Sequence, residues 1–200
     1  MKKTLLILAF LLVASVALPQ KLTLGPLAGF NSSKFTTNLP EIKEEAKANF
    51  LFGAFIRYGE KVYLQPEFVY TTKGGDFSYN LVSGAEQTIR MKQLEIPVML
   101  GFRFINIGIA NLRIMGGPSA GIVFDKEVTF NDLVADPIPE SSFKDLQWAI
   151  QLGAGVDILF LTLDVRYEIG LNNLYEPPAG AEEYDIKNNL WRVSLGWKIL

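Results

Sequence analysis

The 200-residue chain has no cysteine and no histidine. Without cysteine there is no thiol to carry a lipid anchor, no disulfide and no thiolate metal site. Without histidine there is no Ser-His-Asp triad, no imidazole-ligated zinc and no imidazole proton relay. An excess of charge of one sign is missing too: 19 Lys and Arg stand against 21 Asp and Glu, a formal net charge of −2. That balance offers no basic footprint for nucleic acid. There is also no apolar run approaching the roughly 20 residues that a spanning helix needs.

The longest apolar run lies at the N-terminus. Lys2 and Lys3 precede Leu5–Val13, and Ser15-Val16-Ala17 follows with small residues at the −3 and −1 positions. This order reads as a secretory signal over residues 1–17, cleaved after Ala17 or as late as Gln20. The remainder, 22–200, reads as one domain.

What that remainder contains is alternation. In Leu190–Leu200, Trp191, Val193, Leu195, Trp197 and Ile199 fall on one face, and Arg192, Ser194, Gly196 and Lys198 on the other. A period of two is a β-strand. The polar face, with two cations and two small residues, suits a narrow wet interior. The apolar face, with a tryptophan near each end, suits lipid. The same pattern recurs in Leu22–Asn31, Phe50–Tyr58, Val62–Thr71, Ile89–Arg103, Ile109–Phe124, Asp145–Ile158 and Leu161–Leu171. The connections alternate long and short, with long loops at 32–49, 72–88, 125–144 and 172–189. Glu41–Ala48 has the composition for a helical turn but is read as loop. The pattern predicts an all-β fold, an eight-stranded antiparallel up-and-down transmembrane β-barrel with four long external loops and short periplasmic turns. Lipid offers no hydrogen-bond partners, so such a sheet must close on itself.

The two faces separate charge. No outward position of the eight segments is charged. The inward positions collect Arg57, Glu67, Glu95, Arg103, Arg113, Asp157, Asp164, Arg166, Glu168, Arg192 and Lys198. Six cations and five anions in a tube that eight strands leave just wide enough for side chains predict a salt-bridged plug. A lipocalin-like soluble barrel would need an apolar interior instead. Tyr58, Tyr70, Trp148, Tyr167, Trp191 and Trp197 are outward and read as an interfacial aromatic girdle. Pro66, Pro97 and Pro118 fall inside strands, where each removes a ladder donor, so bulges or ladder breaks are expected. The Leu159–Phe160 turn must be tight without a glycine.

Leu64-Gln65-Pro66-Glu67-Phe68-Val69-Tyr70-Thr71-Thr72-Lys73-Gly74-Gly75 resembles the small outer-membrane β-barrel family that includes PorT-like proteins. Leu94-Glu95-Ile96-Pro97-Val98, Gly116-Gly117-Pro118-Ser119-Ala120-Gly121, Gly153-Ala154-Gly155-Val156-Asp157, and Asp164-Val165-Arg166-Tyr167 leading to Gly170-Leu171-Asn172-Asn173 extend the resemblance over most of the chain. It implies an outer-membrane location and recurrent strand prolines. Such barrels commonly end on an aromatic residue. Here Trp197-Lys198-Ile199-Leu200 closes the chain, with Trp197 as the substitute.

Glu67 and Glu95, inward on neighbouring strands, could form an acid–base pair. The plainer reading is that they neutralise Arg57, Arg103, Arg113 or Arg192. Lys73-Gly74-Gly75 lacks the spacing of a phosphate loop and reads as a turn. Asp125, Glu127, Asp132, Asp136 and Glu140, and then Glu176, Glu182, Glu183 and Asp185, make two loops acidic without the spacing of a calcium loop. The expectation is a non-enzymatic barrel with no cofactor and no metal, and with a structural or interaction role in the envelope. Its partners would be outer-membrane lipid, the barrel assembly machinery and a protein at the external loops. It would be a monomer and would not bind nucleic acid. A small passive diffusion porin is the alternative.

Overall fold

The computed structural model describes residues 22–37, 42–79, 86–130, 144–173 and 186–199. The signal segment, the acidic residues Asp132, Asp136, Glu140, Glu176, Glu182, Glu183 and Asp185, and the terminal Leu200 lie outside them. Eight strands follow in order: β1 Leu22–Thr37, β2 Ile42–Gly59, β3 Val62–Tyr79, β4 Glu86–Asn106, β5 Ala110–Phe130, β6 Leu146–Ile158, β7 Leu161–Gly170 and β8 Ile186–Trp197. Each pairs antiparallel with its successor, and β8 pairs back onto β1, so the sheet closes. The all-β, eight-stranded up-and-down barrel expected from the alternation is the observed architecture.

Closure depends on glycine at one seam. β1 and β8 pair from Leu27↔Gly196 to Thr37↔Ile186. A Cβ on Gly25 would lie 1.6 Å from the Trp197 carbonyl oxygen, and one on Gly29 would lie 2.1 Å from that of Val193. No side chain fits at either point, because the β8 backbone occupies the space. Beyond the paired run, the Ile199 amide donates to the Leu24 carbonyl at 2.8 Å and fastens the end of the chain.

The prolines interrupt ladders without shifting register. Phe55↔Glu67 and Tyr58↔Leu64 pair on either side of Pro66, and Pro66↔Val98 and Val69↔Glu95 on either side of Pro97. Pro97↔Ser119 and Leu100↔Gly116 flank Pro118. In each gap the pairing stops and resumes in the same register. A proline lacks only its own N–H, so it deletes a bond and leaves the pleat intact. The register shifts lie elsewhere, at Ala46/Leu51, Lys92/Gln93 and Arg103/Ile105.

Six strands reach into segments expected as loop, β8 by beginning at Ile186. Residues 32–37 and 42–49 pair as strand where loop is expected, and Ile42–Ala48 is strand in place of a helical turn. Thr72–Tyr79, Glu86–Thr88 and Asp125–Phe130 likewise continue β3, β4 and β5. Of two of the four expected long loops, only residues 38–41 and 80–85 lie outside the described strands. The physical reason is that a hairpin can run on past an apolar layer, where neither face needs to be apolar. The boundary is visible on β4 and β5. Outward Leu94 and Phe124 are apolar, and the next outward pair is Lys92 and Asp125, ion-paired at 2.5 Å. The outer face below that line is uncharged and carries exposed Phe, Leu, Ile, Val, Tyr and Trp side chains, interspersed with Ala, Gly and Pro.

At the opposite end the turns are short. Gly59 and Gly108 take positive φ. The β6–β7 turn is made by Leu159 itself, at φ +51°, with its amide donating to the Ile109 carbonyl of the neighbouring turn at 2.9 Å. This is how the turn is made without glycine.

Candidate functional site

The lumen is the site. Within the apolar layer, the odd-numbered positions of β1 to β6 and the even-numbered ones of β7 and β8 point inward, so the side chains there meet across the tube. Among the described residues, five cations and five anions are almost wholly buried: Arg57, Lys73, Arg113, Arg166 and Arg192 against Glu67, Glu95, Asp157, Asp164 and Glu168. The equal count makes the plug formally neutral, which suits charges removed from water.

They form three connected levels. At the turn end, Asp157 receives Arg57 at 2.8 Å and Arg113 at 3.1 Å. Arg57 also donates to Gln65 at 2.5 Å, and Arg113 to Asp164 and Thr162. Tyr63 organises this level. Its hydroxyl accepts from Arg113 at 3.0 Å, and its ring centroid lies 4.9, 5.2 and 5.9 Å from the guanidinium carbons of Arg57, Arg103 and Arg113. Cationic groups stacked on one ring are held by its quadrupole as well as by their carboxylates. Gly101, across from Tyr63 in the ladder, leaves the space its ring fills.

In the middle level, Arg166 grips Glu67 through both terminal nitrogens, at 2.8 and 2.5 Å, and reaches Asp164 at 2.8 Å. Gln65 donates to the same Glu67 at 2.6 Å. In the third level, Glu95 accepts from Arg192 at 2.8 Å, Gln151 at 2.5 Å and Ser119 at 3.0 Å, and faces Lys73 at 3.2 Å. Glu168 pairs with Lys73 and accepts from Gln151 at 2.8 Å. Above it, Asn31 donates to Thr71 at 2.7 Å, and the apolar side chains Ile89, Met91, Val123 and Leu190 are buried.

Two of the expected inward cations differ from expectation. Arg103 is only partly buried. It stands at the turn-end mouth, donates to the Glu60 carbonyl at 2.5 Å and lies 3.9 Å from Asp157. Lys198 lies just past β8, half-buried, and forms no ion pair among the described residues. Glu67 is neutralised by Arg166, outside the set of arginines weighed for it, and Glu95 by Arg192, within that set. Both carboxylates are saturated by cations and amides, so neither is available as an acid–base pair. Lys73, read within Lys73-Gly74-Gly75 as part of a turn, is instead buried in the lumen, because β3 continues past Thr71. Its parity was the signal: 63, 65, 67, 69 and 71 are inward, and 73 continues the row.

Free space is scarce. The cavity beside Lys73, Ser119, Glu168 and Asn188 holds about 10 Å³, room for one water at most. The turn-end mouth widens to about 550 Å³ around Glu60, Lys61, Arg103, Phe104, Asn106 and Asn111. This vestibule ends against the Arg57–Asp157–Arg113 level.

On the outer surface, Tyr58, Trp148, Trp191 and Trp197 are exposed, and Tyr70 and Tyr167 half-buried. The latter two are covered by neighbours: Phe52 and Phe124 lie 5.0 and 5.7 Å from Tyr70, and Trp191 lies 4.9 Å from Tyr167. Phe30, Phe50, Phe52 and Phe124 share this surface and were not singled out in the sequence, although their parity is the same.

The chain matches the outer membrane protein beta-barrel domain family over residues 16–176, which spans β1 to β7. No curated protein matches it in sequence. Among solved structures, it is similar to the outer membrane protein OprG of Pseudomonas aeruginosa at 12% identity, over 88% of this chain and 93% of that one, with a TM-score of 0.53. The attachment invasion locus protein Ail of Yersinia pestis matches at 12% identity, over 90% and 99%, with a TM-score of 0.46. Neisserial surface protein A matches at 12% identity, over 88% and 96%, with a TM-score of 0.43. At this identity the likeness to OprG is one of fold.

Proposed function

We propose that this chain, which belongs to the outer membrane protein beta-barrel domain family, is a non-conducting barrel whose role is structural and interactive. It stands in the outer membrane as a rigid post and offers its external strands and loops to a partner protein. Residues 1–17 would direct export and be removed. Within the family, the segment from Leu64 to Gly75 and the Gly116–Gly121 stretch favour the PorT-like kind. The reading does not include catalysis: the buried carboxylates are neutralised, and the chain has no histidine.

The observation that carries it is the filled lumen. Ten buried charged groups cross the tube in three levels, each bonded to groups on other strands. A solute would have to break several buried pairs at once. The external half supports the interaction role. β3, β4 and β5 extend well past Leu94 and Phe124, where the outward face becomes charged, and so form a wall that stands clear of the apolar layer.

Liposome swelling separates this reading from a passive diffusion porin. Vesicles carrying the folded protein are placed in iso-osmotic arabinose or glycine. They should swell no faster than protein-free vesicles. Swelling that rises with protein content and falls with solute size would make the chain a porin.

A further inference from the structure

We propose that the barrel seats one side of its turn end in lipid: the Ile107-Gly108-Ile109 and Leu159–Phe160 turns enter the nearer leaflet, while the Glu60–Lys61 turn stays in water. This rests on the reading that the outer face meets lipid, and goes beyond it by assigning the turns, which lie outside the strands.

The first argument is composition against exposure. Ile107 and Ile109 are 70% and 68% exposed, and Leu159 and Phe160 are 62% and 51% exposed. Neither turn holds a charged residue. The remaining short turn exposes Glu60 and Lys61 instead. In water, four large apolar side chains at the tips of two turns would be a standing cost.

The second is continuity. The outward row of β6, from Leu146 through Trp148, Ile150, Leu152 and Ala154 to Ile158, passes directly into Leu159 and Phe160 and returns up β7 through Leu161, Leu163 and Val165. No polar residue marks a boundary at the turn. The Leu159 amide donates to the Ile109 carbonyl, so the two turns form one patch, and the Phe160 ring lies 5.7 Å from Trp197. The apolar surface of the strands thus extends around the tips.

The third is conformation. Leu159 occupies the left-handed region at φ +51°. Glycine, asparagine or aspartate adopts it more readily than leucine. A leucine held there against its own preference fits a position whose side chain has apolar surroundings, and a water-facing turn provides none. Committing these tips to lipid sets the barrel obliquely, with the β2–β3 turn and the vestibule beside it kept wet.

The absence of cysteine makes the test direct. Ile107→Cys, Leu159→Cys, Glu60→Cys and, as a strand control, Leu195→Cys are each labelled with a polarity-sensitive thiol fluorophore. Each is folded into phosphatidylcholine vesicles, with folding checked by the gel shift on heating. Lipids with brominated acyl chains should quench the labels at 107, 159 and 195 at least twofold more than the label at 60, and iodide should quench the label at 60 alone. Iodide access at 107 and 159 equal to that at 60, with the 195 label still quenched by brominated lipid, would overturn the proposal and leave a protein as the occupant of the patch. Loss of brominated-lipid quenching at 195 as well would overturn the membrane reading beneath it.

Discussion

Arg166 is buried between two carboxylates that are themselves buried. Its terminal nitrogens hold Glu67 on β3 and Asp164 on its own strand. Removing it would leave both anions buried beside each other's field. Arg166→Ala should therefore destabilise the folded barrel by about 3–5 kcal/mol, the usual cost of breaking a buried pair from one side. Lys92, paired with Asp125 at the exposed rim, is the contrast: Lys92→Ala should leave stability close to wild type. Urea unfolding in lipid vesicles, followed by tryptophan fluorescence, measures both. Equal effects would mean that the lumen pairs are as solvent-screened as the surface one. At this scale the sequence reveals which residues face inward, because the period of two assigns every side chain to a face. It does not reveal partners. Arg57 and Asp157 are 100 residues apart, and only the closed geometry brings them to 2.8 Å. Tyr63 is legible as inward, yet its place among three guanidinium groups depends on the space Gly101 leaves for it.

The elements show where the pattern stops being informative. Alternation of apolar and polar residues marks a strand only while one face is in an apolar layer. Past Lys92 and Asp125 the outward face is polar and the apolar side chains, Ile89 and Met91, turn inward, so the face rule that holds lower down no longer applies, and Thr72–Tyr79 reads as a Gly-rich loop although it is strand. Lys73 belongs to that stretch. The prolines were legible as defects, and the structure resolves their form: a missing bond with the register kept. The β1–β8 seam, by contrast, rests on close approach that no periodicity reports. Gly25→Ala places a methyl group against the Trp197 carbonyl oxygen and should prevent β1 from closing on β8. Gly108→Ala meets nothing within 4 Å and bears only the strain of φ +77°, about 1 kcal/mol. Refolding yield, read as the fraction running fast on a gel before boiling, should fall severely for the first and stay near wild type for the second. A wild-type yield for Gly25→Ala would refute the seam as described.

For the whole molecule, closure and filling are two parts of one design. Lipid requires the sheet to have no edges, and eight strands then enclose a bore that long side chains can span. Among the described residues the plug is neutral, five buried cations to five anions, and its levels tie β2 to β6, β3 to β7 and β4 to β8 through bonds that do not follow the ladder. The family assignment fits this shape, and the apolar turns at one end indicate how it would sit in a leaflet. The central claim is that the tube is shut. Single-channel recording of the refolded chain in a planar bilayer tests it most directly, with folding verified on the same sample by the heat-dependent gel shift. The structure predicts no steady conductance above the bare membrane. Reproducible unitary steps that scale with salt concentration would show ions passing the Arg166–Glu67 level and would contradict it.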